Sequence, residues 1–365
     1  MALANKSPEE VRGGLEAWLG TKVPGARITS CDIPAASGMS NLTILFSAET
    51  GNGEEHFVAR VAPDGPAVFM DYDLAKEASV MNALAGIGVK VPVVRWVEQD
   101  PAALGAQFLV MERATGRVPA DDPPFTAVGW VLDDLSDAQR NLLCTNSLEA
   151  LATIHDADWK GLGLGFLAPA GGATADAVLD ADLAYWQRIY DWARADDVNA
   201  TVEAGFAWLR DNRPADDREP VLVWGDARIG NMMFGDDLSV NAILDWEMVG
   251  LGQPDVEVAW WLFLLRHHTE GIGMPYPAGF PSRDEVIAYY EKVSGRPVPH
   301  VDYYEVWAAV RLAVLMHRAG NLMIEIGLLP PDAPMKFNNP ASQLLAKLIG
   351  APAPTGDAQS FIGNR

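Results

Sequence analysis

The chain has 365 residues, 49% of them hydrophobic and 21% charged, and its 27 basic and 49 acidic side chains give a formal net charge of −22. That length exceeds what one small core organises and predicts two domains or lobes. The acidic balance excludes a sequence-independent nucleic-acid binder, which needs the opposite sign, whereas Mg2+ and a few local cations can still hold a single anionic nucleotide.

In chain order, the pattern opens with a helix over about 8–20 and then turns β-rich. Residues 41–47 and 56–62 flank Glu49-Thr-Gly-Asn-Gly-Glu54, the signature of a hairpin. A helix over about 72–84 interrupts the strands, with further strands expected at Val91–Glu98 and Gln107–Met111. Asp71-Tyr-Asp73 opens that helix and reads as capping. Beyond Gly116 helical periodicity takes over, at about 135–156, 180–194, 197–212, 254–269, 283–294 and 301–327. The expected layout is α+β: a β-rich N-terminal lobe over 1–110, a hinge at 111–116, a larger helical lobe over 117–350 and a loose tail at 351–365.

Two cysteines, Cys31 and Cys144, are too few for a disulfide framework and suit a reducing cytoplasm. The N-terminus has no basic stretch followed by an apolar core. The most apolar run, Val256–Leu265, carries Glu257 and falls well short of the roughly 20 residues a membrane span needs. A soluble, cytoplasmic protein without membrane or nucleic-acid partners is expected.

The most informative stretch is Val221-Leu-Val-Trp-Gly-Asp226-Ala-Arg-Ile-Gly-Asn231, followed by Ala242-Ile-Leu-Asp245-Trp-Glu247. Two short apolar runs around Gly235-Asp-Asp237 predict a hairpin that sets Asn231 beside Asp245, with Asp226 just upstream. Asp226 is placed to accept a proton from an attacking hydroxyl. Asn231 and Asp245 offer hard oxygen ligands to Mg2+, although Asp245 has an ion pair with Arg228 as its alternative. Trp224 stands beside the candidate base without being expected to touch it.

In the β-rich lobe, Glu77 lies in the apolar stripe Leu74, Ala78, Met81, Leu84 and wants a cation, for which Arg60 on the preceding strand is the candidate. Gly38, Met39, Ser40 and Asn41 precede a strand where backbone amides can approach phosphate. Met111 and Glu112 stand where an adenine could meet main chain. Arg228 and Glu247 are candidate acceptor contacts. His155 shares a face with Leu148, Leu151 and Ala152 and reads as a core histidine, and His267-His268 lack metal-ligand spacing. Of the helical tryptophans, most are assigned to core and some to an apolar acceptor pocket.

These motifs resemble the aminoglycoside phosphotransferase and choline kinase group, which has a protein-kinase-like fold, and most of all the kinase-like domain fused to some acyl-CoA dehydrogenases. The resemblance runs from Ser37-Gly-Met-Ser-Asn-Leu-Thr43 to near Asn321 and is most specific at Trp224–Asn231 and Ile243–Glu247, followed by Gly252-Gln-Pro254. It implies an ATP- and Mg2+-dependent kinase with Asp226 as base, Asn231 and Asp245 on the metal, and Glu77 as the helix partner. The implied acceptor is a hydroxyacyl-CoA or other apolar alcohol. An antibiotic phosphotransferase and a catalytically silent nucleotide-binding protein are the alternatives. Trp224 departs from the His of many relatives, Arg60 from the Lys of protein kinases, and Glu257 from a common Asp whose expected task is loop anchoring.

Overall fold

The computed structural model describes residues 6–34 and 41–359, and the chain divides into two compact units, Met1–Thr115 and Gly116–Arg365. In the first unit, α1 (Pro8–Lys22) starts at a capping box formed by Ser7 and Glu10. Five strands follow: β1 (Arg27–Asp32), β2 (Leu42–Thr50), β3 (Gly53–Val61), β4 (Val94–Glu98) and β5 (Phe108–Glu112), with α2 (Leu74–Gly86) between β3 and β4. They form one antiparallel sheet in the order β1-β2-β3-β5-β4.

The expected hairpin is β2–β3, closing at Thr50 opposite Gly53. Period-2 alternation puts Ile44, Phe46, Phe57, Ala59, Val61, Phe108 and Val110 into one core with Val11, Leu15, Trp18 and Leu19 of α1. Arg60, out of phase with Ala59 and Val61, therefore takes the other face of β3. On α2 the buried residues are Leu74, Glu77, Ala78, Val80, Met81 and Leu84, with Asp73 as N-cap.

β1 has no counterpart in the expected strands: only Ile28 of Arg27–Asp32 is buried, so this edge strand carries no alternation to read. β4 starts at Val94, three residues later than expected, because Pro92 has no amide for the ladder.

The second unit holds α3 (Trp130–Asp133), α4 (Asp137–His155), α5 (Ala175–Arg194), α6 (Ala200–Asp211), α7 (Pro254–His267), α8 (Arg283–Ser294), α9 (Val301–Glu325) and α10 (Pro340–Ile349). Between α6 and α7 lie β6 (Val221–Val223), β7 (Met232–Phe234), β8 (Val240–Ile243) and β9 (Gly250–Gly252), paired antiparallel as β6–β9 and β7–β8. The long α9 packs against α5, α6, α7 and α10, and α7 is buried along nearly its whole length.

α10 is absent from the expected helices, although its ten residues are amphipathic, start at an Asn339 cap with Pro340 in the first turn and end at Gly350, so the signal is present in the sequence. The described part of the C-terminal segment is tied down, against the expectation of a loose tail. The Asn338 side-chain amide donates to the carbonyls of Thr355, Gly356 and Asp357, and Gln359 N donates to Asn338 O. Among the described residues, no helix is long and apolar enough to cross a membrane.

Candidate active site

The core of the site is the loop leaving β6. Val221, Leu222 and Val223 are buried, and the chain turns at Gly225, whose φ is +98°. A Cβ there would lie 2.2 Å from the carbonyl oxygen of Met248, so backbone conformation and space both require glycine. Glu257, fully buried in the first turn of α7, holds this turn by accepting from the backbone amides of Trp224 at 2.8 Å and Gly225 at 2.6 Å. The same carboxylate meets His155 Nε2 at 3.1 Å, while His155 Nδ1 lies 2.6 Å from the Tyr290 hydroxyl. His155 is thus a core histidine, and Glu257 anchors the loop.

Asp226 follows directly, its side chain 19% exposed. Its Oδ1 accepts from Trp260 Nε1 at 2.8 Å, and its Oδ2 accepts from Asn231 Nδ2 at 2.7 Å and Arg228 Nε at 3.2 Å. Arg228 also pairs with Asp121. Burial opposes its charge, but the charges of Asp121 and Asp226 prevail and hold its pKa above the ordinary value. Asp121 and Asp226 are therefore the hydrogen-bonded partners of Arg228, and the charge of Asp245 adds to the same effect.

The hairpin forms as the spacing predicts. Met232 pairs with Ile243, Met233 with Ala242 and Phe234 with Val240, and Leu244 N donates to Asn231 O at 2.8 Å. Asn231, 4% exposed, therefore sits opposite Leu244, and Asp245 is the next residue along. Asp245 has φ +59°, a left-handed backbone that a non-glycine residue holds only when its surroundings enforce it.

Part of that enforcement comes from Trp224. Its indole N–H donates to the carbonyls of Leu244 at 2.9 Å and Asp245 at 2.8 Å, tying the Asp226 loop to the Asp245 loop. Trp224 is thus no bystander. Glu247, half-buried, lies two residues beyond Asp245.

A buried cation completes the arrangement. Arg311 of α9, 4% exposed, donates through Nη2 to the carbonyl of Gly225, and its guanidinium lies 4.9, 4.4 and 4.7 Å from the ring centres of Trp186, Trp260 and Trp307. Burial pulls its pKa down to about 10, which leaves it charged at pH 7. Sequence reasoning offers Trp260 as core or pocket lining and Arg311 as a cation for an anionic acceptor, and does not foresee that both meet the Asp226 loop. A lone Arg in the apolar run of α9 is the one available signal, because a buried charge needs partners. Trp260, inside a helix that is apolar all round, gives none. His267 and His268 are pushed down to about 3 and about 4 by burial and are neutral at pH 7.

The residues expected to hold nucleotide belong to the first unit. Glu77 is 2% exposed on α2, Arg60 is half-buried on β3, and Asn41, 4% exposed, precedes β2. Gly38, Met39 and Ser40 lie outside the described residues. Met111 and Glu112 end β5, where the amides of Glu112 and Arg113 donate to the carbonyls of Val93 and His56. These two amides serve the sheet, so an adenine meeting this segment would need other main-chain groups. Arg95 pairs with Glu112 at 2.9 Å.

Asn231 and Asp245 supply one amide and one carboxylate, the hard oxygen donors that suit Mg2+ when substrate phosphates complete the shell. Among the described residues, no cluster of three or more His, Cys, Asp and Glu offers an all-protein metal cage.

The chain is 29% identical over 280 residues to acyl-CoA dehydrogenase family member 11 of Gallus gallus, covering 74% of this chain and 34% of that protein. Against the Mus musculus protein of the same name it is 26% identical over 367 residues, covering 95% and 45%. The chain thus spans between a third and a half of these relatives. Among solved structures, one from Ralstonia eutropha aligns with TM-score 0.67 at 23% identity over 93% of this chain and 98% of that one. An aminoglycoside phosphotransferase in ternary complex with ADP and hygromycin B aligns with TM-score 0.54 at 16% identity, over 94% and 100%. The model of the phosphotransferase enzyme family matches residues 33–295, a span that contains the Asp226 loop, the β7–β8 hairpin and the Glu257 anchor. With a β-rich unit, a helical unit and this loop geometry, the chain has the protein-kinase-like fold and belongs to the phosphotransferase enzyme family.

Proposed function

We propose that this protein is a kinase that uses ATP and Mg2+ to phosphorylate a hydroxyl group of a small molecule. The observation that carries the reading is the Asp226 carboxylate, held by donors from Trp260, Asn231 and Arg228 yet partly open to solvent. Asp226 orients the acceptor hydroxyl and takes its proton as the oxygen attacks the γ-phosphorus. Asn231 and Asp245 would hold the Mg2+, which would supply charge neutralisation on the phosphates. Arg60 and Glu77 serve the nucleotide, Arg through a broader fork than Lys. Both cysteines are free thiols, in keeping with a reducing cytoplasm.

The acceptor is proposed to be a hydroxyacyl-CoA or another apolar alcohol, by analogy with the named relatives. Three arginines of the second unit that could serve an anionic acceptor are engaged internally: Arg228 with Asp121 and Asp226, Arg266 with Glu270, and Arg311 inside its tryptophan cage. The acceptor is therefore expected to be recognised here mainly through its apolar part.

Asp226→Asn keeps the shape of the side chain and removes the proton acceptor. Turnover, followed as ADP release across hydroxyacyl-CoAs, sterols, phenols, sugars and aminoglycosides, should fall about a hundredfold or more. Mg-ATP binding, followed by thermal shift, should persist. Near-normal turnover in this variant refutes the kinase assignment. Nucleotide binding without ADP release from any acceptor would instead mark a silent nucleotide-binding protein, and turnover confined to aminoglycosides would move the substrate to antibiotics.

A further inference from the structure

The geometry points to Trp260 as a positioning residue that orients the Asp226 oxygen left open to the acceptor hydroxyl. This inference rests on the kinase reading above and adds a residue to it.

A carboxylate has about four lone-pair directions, two on each oxygen. On Asp226, Oδ2 is filled by Asn231 Nδ2 at 2.7 Å and Arg228 Nε at 3.2 Å. On Oδ1, Trp260 Nε1 fills one direction at 2.8 Å. The remaining direction is therefore on Oδ1, the oxygen that Trp260 holds. In the transfer step the acceptor O–H bond breaks and its proton passes to Oδ1. The acceptor oxygen bonds to the γ-phosphorus, and the bond from phosphorus to the bridging oxygen breaks with its electron pair leaving on ADP. Without the Trp260 N–H, Oδ1 would lose the contact that fixes the carboxylate plane.

Trp260 is itself held from behind. It is 2% exposed, and Arg311 stands 4.4 Å from its ring centre while donating to the carbonyl of Gly225, the residue before Asp226. One cation thus braces both the peptide that carries Asp226 and the ring that holds its free oxygen. A cation over the face draws electron density from the indole and makes its N–H a stronger donor.

Two measurements on the full chain test this. In 15N spectra of the tryptophan indoles, the Trp260 signal is identified by its loss in Trp260→Phe; it should move strongly in Asp226→Ala, and an unmoved signal overturns the contact. In ADP release from Mg-ATP with water as the acceptor, Trp260→Phe should lower turnover about ten- to a hundredfold, the range for losing a hydrogen bond to a charged group. Its KM for ATP should stay within about twofold. Trp208→Phe makes the same change at an indole of this unit that stacks on Tyr303, away from the Arg311 cage, and should retain turnover within about threefold. An equal loss in Trp208→Phe would assign the effect to packing and overturn the inference. Wild-type turnover in Trp260→Phe, with Asp226→Asn inactive, overturns it too but leaves the kinase reading standing; an active Asp226→Asn removes that reading instead.

Discussion

Glu257 shows how one side chain can set a loop. Its carboxylate receives two consecutive backbone amides, those of Trp224 and Gly225, where no water replaces them. In Glu257→Gln a single amide oxygen faces both donors, and one buried N–H loses its partner. The expected cost is about 1–3 kcal/mol, read as a lower midpoint in urea unfolding. An unchanged midpoint would mean that the two amides find another acceptor. The length of the Glu257 side chain has a second consequence. The arm reaches the amides from the first turn of α7 while still meeting His155, so the anchor extends to Tyr290 on α8. From sequence alone, Asp226, Asn231 and Asp245 stand out because their spacing is local to one hairpin. Trp260 does not, because its meeting with Asp226 spans 34 positions and depends on how α7 packs.

At the scale of elements, short-range signals carried most of the assignment. The β2–β3 hairpin, the capped helices and the β7–β8 hairpin are each written in neighbouring residues. Edge strand β1 and the docked C-terminal segment depend on partners distant in sequence, and periodicity is silent there, whereas α10 carries an amphipathic pattern and cap residues that are legible. The seating of α1 on the sheet offers a test at this scale. Glu98 at the end of β4 accepts from Trp18 Nε1 at 2.9 Å and from Asp100 N at 3.0 Å, and lies 3.1 Å from Lys22 Nζ. Led by the Trp18 bond, these partners lower its pKa to about 2 from an ordinary 4.5. A depressed carboxylate pKa stabilises the folded state above the unfolded value and loses that contribution as pH falls towards the folded one. Glu98→Gln should therefore cost about 1 kcal/mol at pH 7, discounted for partial solvation. The gap to wild type should close between about pH 4.5 and pH 2, tracked by denaturant midpoints across pH. A gap that is constant over this range would mean that packing, not charge, holds α1.

For the whole molecule, the net charge of −22 outweighs any single ion pair as a source of electrostatic free energy. Self-repulsion of that size disfavours the compact state and is screened within about 10 Å at 0.1 M salt. The thermal midpoint should accordingly rise by a few degrees, on the order of 2–5 °C, between 20 and 300 mM NaCl. A flat or falling midpoint would show that the ion pairs dispersed over both units together offset the net repulsion. The fold class is legible from the switch between β-rich and helical patterns near Gly116. The acceptor is not, because tryptophans that would line a pocket are in sequence indistinguishable from those of the core.

The indole staple between the Asp226 and Asp245 loops also has an optical consequence. Trp224 and Trp246 lie 6.0 Å apart with their planes inclined by 37°. Two transition dipoles that close and that skewed couple, so the pair should contribute a signed doublet to circular dichroism. Trp224→Phe would erase it. The doublet would then report directly, without label or substrate, whether the two loops still move as one body.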